Sequence, residues 1–225
     1  MLFFYKDNQR HYSKQSLLQN SSKTIPSLPN PYLSVTEDFA TPEPKITEQI
    51  KVYRTSDYIF FPVSKSVSLN GFHPNDLVVL DPPYSLRSVK VSNLILSDLK
   101  KMINDAKESG IDIKVVSGFR SYSDQEYLFN SYISQERRKN PSLSDDELVS
   151  IVNQFSAKPG HSEHQLGTTI DIGSNENGYK LIVDENAKYQ KWLLENSQKY
   201  NFRISYPKGN PEYIYEPWHL RWWPK

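Results

Sequence analysis

Two short segments hold side chains suited to metal binding and proton transfer. The first is Pro-Gly-His-Ser-Glu-His-Gln-Leu-Gly-Thr-Thr-Ile-Asp (159–171), with His161, His164 and Asp171; the second is Tyr-Glu-Pro-Trp-His (215–219), with Glu216 and His219. Three of the chain's five histidines fall in these segments, each near a carboxylate. Imidazole and carboxylate are ligands of a catalytic zinc, which takes three protein ligands and keeps one position for water. A further carboxylate beside such a metal can serve as general base. The residue types therefore point to a zinc hydrolase.

Spacing restricts how the groups can meet. His164 and Asp171 are seven positions apart, and an odd separation on one straight strand puts side chains on opposite faces. They reach one ion only if the chain bends between them, and Gly167 permits a bend. Asp171 lies in Thr169-Ile170-Asp171-Ile172, an apolar setting where a lone charge is costly. Coordination to a cation removes that cost; the alternative is a buried aspartate that caps a turn or pairs with arginine. His219 is the natural third ligand, while His161 competes as a ligand or lines the rim. Glu216 precedes His219 by three positions across Pro217, so a tight turn brings both to one side. There it could take a proton from activated water and pass it to a leaving nitrogen; otherwise the segment is a surface turn anchored by Trp218. Arg120 closes a strand-like run, Val115–Phe119. Its guanidinium could hold an oxyanion or a carboxylate, or be an ordinary surface arginine.

The elements that must position these groups suggest an α+β fold, with a small antiparallel sheet carrying the zinc site, flanked by helices. Residues 1–50 are rich in Ser, Asn, Gln and Pro and read as an extended or flexible N-terminal stalk, the catalytic domain being 51–225. Apolar residues at helical spacing predict a helix over 94–109. A helix over 121–140, a helix after the Ser144–Glu147 capping box, and a helix through Tyr189, Trp192, Leu193 and Tyr200 are also expected. Strands are predicted at 111–117, 168–173, 202–206, 213–216 and 220–222. Helices mostly precede strands, which favours α+β over a doubly wound sheet.

Composition narrows the partners. The formal net charge is +1 and no basic block stands out, so nucleic acid is not an expected partner. No apolar run reaches the roughly 18 residues of a membrane span. Met1–Tyr5 is too short for the apolar core of a secretion signal, so the chain is expected to be soluble or a mature form that has lost a signal or anchor. The absence of cysteine excludes disulfides and thiolate zinc sites. The 15 tyrosines suit a cleft for a polar polymer, or simply the edges of the core.

Taken together, Ser-Gly-Phe-Arg-Ser (117–121), Ser-Glu-His-Gln-Leu-Gly-Thr-Thr-Ile-Asp-Ile (162–172) and Tyr-Glu-Pro-Trp-His-Leu-Arg-Trp (215–222) resemble the VanY-type D-alanyl-D-alanine carboxypeptidases. The wider group of zinc peptidases includes D-Ala-D-Ala dipeptidases, lysostaphin-type enzymes and the hedgehog domain. Order and spacing match over roughly residues 70–225. The resemblance implies His164, Asp171 and His219 as ligands of one zinc per chain, Glu216 as the catalytic base and Arg120 as the stabiliser of the oxyanion. Gln125, Ser162 and Trp218 are expected to contact substrate. The chain departs from the pattern at Thr168 and Thr169, where relatives usually carry small apolar residues, a change expected to alter packing more than chemistry. The implied activity is removal of C-terminal D-alanine from peptidoglycan stem peptides, D,D- or L,D-, by a monomer in the cell envelope. A peptidoglycan endopeptidase on the same scaffold and a non-catalytic zinc-containing wall-binding module are the alternatives.

Overall fold

Alternation with period two organises the centre of the molecule. In Thr169–Ser174 the side chains of Ile170 and Ile172 enter the apolar core, so Asp171 between them must face the other way. In His219–Trp222 Leu220 enters the same core, which turns His219 and Arg221 to the face that Asp171 occupies. The structure is a computed structural model and describes residues 52–225. The stalk expected over 1–50 lies outside the described residues.

In chain order the strands are β1 (Val52–Tyr53), β2 (His73–Pro74), β3 (Leu77–Leu80), β4 (Val89–Ser92), β5 (Ile113–Ser117), β6 (Thr169–Ser174), β7 (Phe202–Ile204) and β8 (His219–Trp222). The helices are α1 (Leu96–Glu108), α2 (Tyr122–Lys139), α3 (Asp145–Val152) and α4 (Lys188–Asn196). Strands β5, β6, β8 and β7 form, in that order, an antiparallel sheet. Strands β3 and β4 make a separate hairpin, and β1 and β2 a short parallel pair. The fold is α+β, as expected, although not in the expected order: β1–β4 precede the first α-helix, and it is the antiparallel pairing of β5, β6, β8 and β7 that sets the class.

One face of the sheet packs against α1 and α4. Leu99, Met102, Ile103 and Ala106 of α1, and Tyr189 and Leu193 of α4, meet Ile113, Val115, Ile170, Ile172, Phe202 and Leu220. Burying each large aliphatic side chain contributes on the order of 1.5–3 kcal/mol, so this layer fixes the sheet rigidly.

Local chemistry sets the helix starts. Ser121 accepts from the backbone N–H of Asp124 at the start of α2, while the Asp124 carboxylate reaches back to the Ser121 N–H. Ser144 and Glu147 make the same reciprocal pair for α3. The helix expected over 94–109 divides, because the Ser92 hydroxyl caps a 3₁₀ turn, Asn93–Ile95, ahead of α1. The helix expected through Tyr200 ends at Asn196 and tightens into a 3₁₀ turn. The strand expected at 213–216 does not form. The Asn210 side chain accepts from the N–H groups of Glu212 and Tyr213, holding a turn, and Pro217 has no N–H to give to a ladder.

Candidate active site

The sheet register places two of the predicted ligands. Asp171 pairs directly with His219 across β6 and β8, so both side chains leave the same face as neighbours. His164 comes from a 3₁₀ turn, Glu163–Leu166, immediately before β6. Gly167, at φ +74°, closes that turn and swings the chain into the strand. A β-carbon on Gly167 would also press on Leu77 and Pro74. The bend lets two residues at odd separation reach one point.

Candidate ligand atoms of His164, Asp171 and His219 lie within 4.8 Å of one another, and all three residues are buried. His164 Nε2 is 3.2 Å from one Asp171 oxygen, and His219 Nδ1 is 3.1 Å from the other. Hydrogen bonds on the far sides of both rings fix which nitrogens face inward. His164 Nδ1–H donates to the Gly118 carbonyl at 2.8 Å, which leaves Nε2 unprotonated and aimed at the cluster. Gly118 is itself forced: a β-carbon there would lie 2.4 Å from the Lys90 carbonyl oxygen. His219 Nε2 faces Glu163 at 3.0 Å, so Nδ1 points at Asp171.

Electrostatics concentrate on the same point. Burial alone would raise the Asp171 pKa, but the charges and hydrogen bonds of His164 and His219 hold it far below the usual carboxylate range. Burial lowers the His164 pKa and outweighs Asp171. For His219 burial also acts downward, yet hydrogen bonds to Asp171 and Glu163 overturn it and push the pKa to about 10. Two nitrogens and one carboxylate, oriented from behind and opening on a cleft, form a donor set that fits a zinc ion with a position left for solvent.

Glu216 lines the cleft beside the cluster. Its carboxylate is 3.8 Å from His219 Nδ1, the inward nitrogen. The segment turns there, with the His219 N–H donating to the Glu216 carbonyl and the Glu216 N–H to that of Tyr206. The Tyr206 ring stacks on the His219 imidazole at 4.2 Å and 12°, with Tyr213 behind it at 4.2 Å and 15°. Arg120 follows β5 into the same cleft, and its N–H donates to the His164 carbonyl.

The remaining expected residues fall as follows. Ser162 and Trp218 both line the cleft, at 5% and 1% exposure. Gln125 lies underneath it, 1% exposed, with its carbonyl oxygen accepting from Arg120 Nη1 at 2.5 Å. Its amide donates to the Ala157 carbonyl at 2.6 Å and the Ser156 hydroxyl at 3.3 Å, so it braces Arg120 against the chain after α3. His161 is neither in the ligand cluster nor in the cleft lining; its Nδ1–H donates to the Ser64 carbonyl at 2.8 Å. Thr168 and Thr169 are fully buried, and their hydroxyls have no partner among the described residues.

The cleft encloses about 800 Å³, solvent at its mouth included. Leu128 and Tyr132 of α2, and Gln154–Ala157 after α3, form one wall; Tyr206 and Tyr213 form another. Tyr132 and Phe155 meet edge-on at 5.3 Å, tying the first wall together. Sequence reasoning missed the roles of Tyr132, Tyr206 and Glu163. For the tyrosines, 15 scattered copies offered no local signal. For Glu163 the signal was its place directly before a candidate ligand histidine.

A family model described as D-alanyl-D-alanine carboxypeptidase, VanY, matches residues 88–225. The putative carboxypeptidase YodJ of Bacillus subtilis (strain 168) is 32% identical over 187 residues, spanning 79% of this chain and 64% of that protein. The solved structure of the LdcB LD-carboxypeptidase is similar with TM-score 0.63 and 32% identity, over 79% of this chain and 82% of that one. The fold is also that of a vancomycin-resistance D,D-pentapeptidase VanY solved with Zn(II), at TM-score 0.59 and 24% identity, over 71% of this chain and 85% of that one. The chain spans between 38% and 64% of the length of the curated relatives it matches.

Proposed function

This chain belongs to the VanY family of D-alanyl-D-alanine carboxypeptidases, and from that premise we propose that it is a zinc peptidase that removes the C-terminal D-alanine of peptidoglycan stem peptides outside the cytoplasm. The observation that carries this reading is the meeting of the His164–Asp171–His219 cluster, Glu216 and Arg120 in one cleft. A purely structural zinc needs neither an acid at its open corner nor a guanidinium facing it. Among the described residues no helix is long and apolar enough to cross a membrane.

His164 and His219 would hold the ion through Nε2 and Nδ1, with one Asp171 oxygen completing the set. When bound, zinc supplies Lewis acidity to the scissile carbonyl and a lowered pKa to water. Glu216 accepts the proton of the attacking water and delivers it to the amine of the departing D-alanine. Arg120 donates to the oxygen on which negative charge grows, and Gln125 keeps the guanidinium from swinging away. Ser162 and Trp218 line the cleft where the substrate backbone must lie. The aromatic walls exclude water and restrict what enters.

The family model favours the D,D reaction and the likeness to LdcB, at 32% identity, favours the L,D reaction on tetrapeptides; we infer the second from the higher identity. Mass spectrometry of muropeptide digests, with tetra- and pentapeptides in parallel and with or without chelator, tests both levels. Loss of one alanine from tetrapeptides, abolished by chelator, is expected. Pentapeptide trimming alone would reassign the bond cut; binding without any loss of mass would remove the enzyme.

A further inference from the structure

The register that sets His219 against Asp171 also sets Arg221 against Thr169, on the face of the sheet away from the apolar core. Arg221 is 2% exposed and Glu163 6%, yet neither lines the cleft. Arg221 Nη1 donates to one Glu163 oxygen at 2.9 Å. Its Nη2 donates to the carbonyls of Ile59 and Phe61, both at 2.7 Å. The other Glu163 oxygen faces His219 Nε2 at 3.0 Å. Trp223 covers the outside of this line, edge-on to Phe60 at 4.8 Å and with the Arg221 guanidinium 5.0 Å from its ring centre.

Desolvating a guanidinium and a carboxylate together is costly, and apolar replacements of similar volume are often no less stable. Stability alone is a weak reason for the pair to be here. Its end point gives another reason. An imidazole ligates through the nitrogen without a proton, and the nitrogen given a hydrogen-bond acceptor is the one that keeps its proton. His219 has an acceptor on the side away from the cleft only because Glu163 is there.

We propose that Glu163 is a positioning residue for the metal. It accepts the N–H at Nε2 of His219, so that Nδ1 is the nitrogen presented to the ion, and Arg221, gripped by the carbonyls of Ile59 and Phe61, holds Glu163 in place. Ile59 and Phe61 precede the family-matched residues 88–225, so a segment upstream of that match supports the site. The inference rests on the zinc reading above and concerns what stands behind the ligands.

Long-range ¹H–¹⁵N spectra of the zinc-loaded 225-residue chain test it without a mutation. The expected pattern is a proton on Nδ1 for His164 and on Nε2 for His219; His219 protonated at Nδ1 and bound through Nε2 overturns the proposal. Chelator competition supplies the second readout. Glu163→Ala should weaken zinc binding by about 10–100-fold, with Glu163→Gln, whose amide oxygen can still accept, losing less. Wild-type zinc affinity in a folded Glu163→Ala protein overturns the positioning role and leaves the zinc reading intact. An unmutated chain that binds no zinc overturns both. If Glu163→Ala does not fold, the ring-nitrogen pattern of the unmutated chain decides.

Discussion

The two sides of the cleft are built on different principles. The metal side is placed by the backbone and braced by buried side chains. Asp171 and His219 are opposed by strand register, His164 is delivered by a turn that Gly167 closes, and both rings are locked from behind by Gly118 and Glu163. The opposite wall is side-chain-determined. Tyr132 and Phe155 come from α2 and the segment after α3 and are held by aromatic packing rather than a ladder. Arg120 belongs to both, leaving β5 on the metal side and braced by Gln125 to residues 156 and 157 of the wall. A register cannot slip by fractions, so the metal side can hold one chemistry. A packed wall can be re-cut residue by residue, so substrate choice can vary on an unchanged metal site.

Mutations on the metal side should remove turnover, and mutations in the wall should redirect it. The largest effect is expected from Glu216→Gln, which should lower kcat by about 10²–10⁴-fold while zinc content and thermal stability stay near wild type. Steady-state kinetics beside metal analysis checks it. Arg120→Ala should lower kcat by about 10²–10³-fold, again with zinc retained.

The next effect is a pH dependence. Without the ion, the His219 pKa is pushed to about 10, so at neutral pH the ring carries a proton that zinc must displace. Zinc affinity should therefore fall as pH falls, by about tenfold per unit if that single proton dominates. Calorimetry in buffers of differing ionisation enthalpy should show about one proton released per zinc near pH 7. In the wall, Tyr132→Ala or Phe155→Ala should raise KM by about 2–10-fold and change the ratio of tetra- to pentapeptide cleavage, leaving zinc affinity alone. The smallest effect is expected from Ser144→Ala, which removes the α3 cap. It should cost about 1 kcal/mol in a denaturation curve and barely change kcat.

The same contrast governs what could be read in the sequence. Motif segments carry the metal side, and they picked out His164, Asp171, Glu216 and His219, which the structure gathers at one point. The bend at Gly167 was legible because an odd separation demanded one. The α3 start was legible because Ser144 and Glu147 solve the capping problem within four residues. The buried support was not: Glu163 and Arg221 are 58 positions apart, and only the pairing of β6 with β8 brings them together. Gln125 had a motif position, but its bracing of Arg120 depends on residues 156 and 157 folding back over α2. Tyr213–Glu216 reads as a strand because its aromatic content imitates β-propensity, whereas Asn210 and Pro217 decide the backbone.

In the proposed function, one divalent ion on His164, Asp171 and His219 makes the cleft catalytic. Free D-alanine released from purified muropeptides should be followed while zinc is added back to chelator-stripped protein. Release should be absent at the start, rise in proportion to zinc and level off at one equivalent per chain, with Asp171→Ala showing none at any addition. Release that persists in the stripped protein, or that survives in Asp171→Ala, would contradict it.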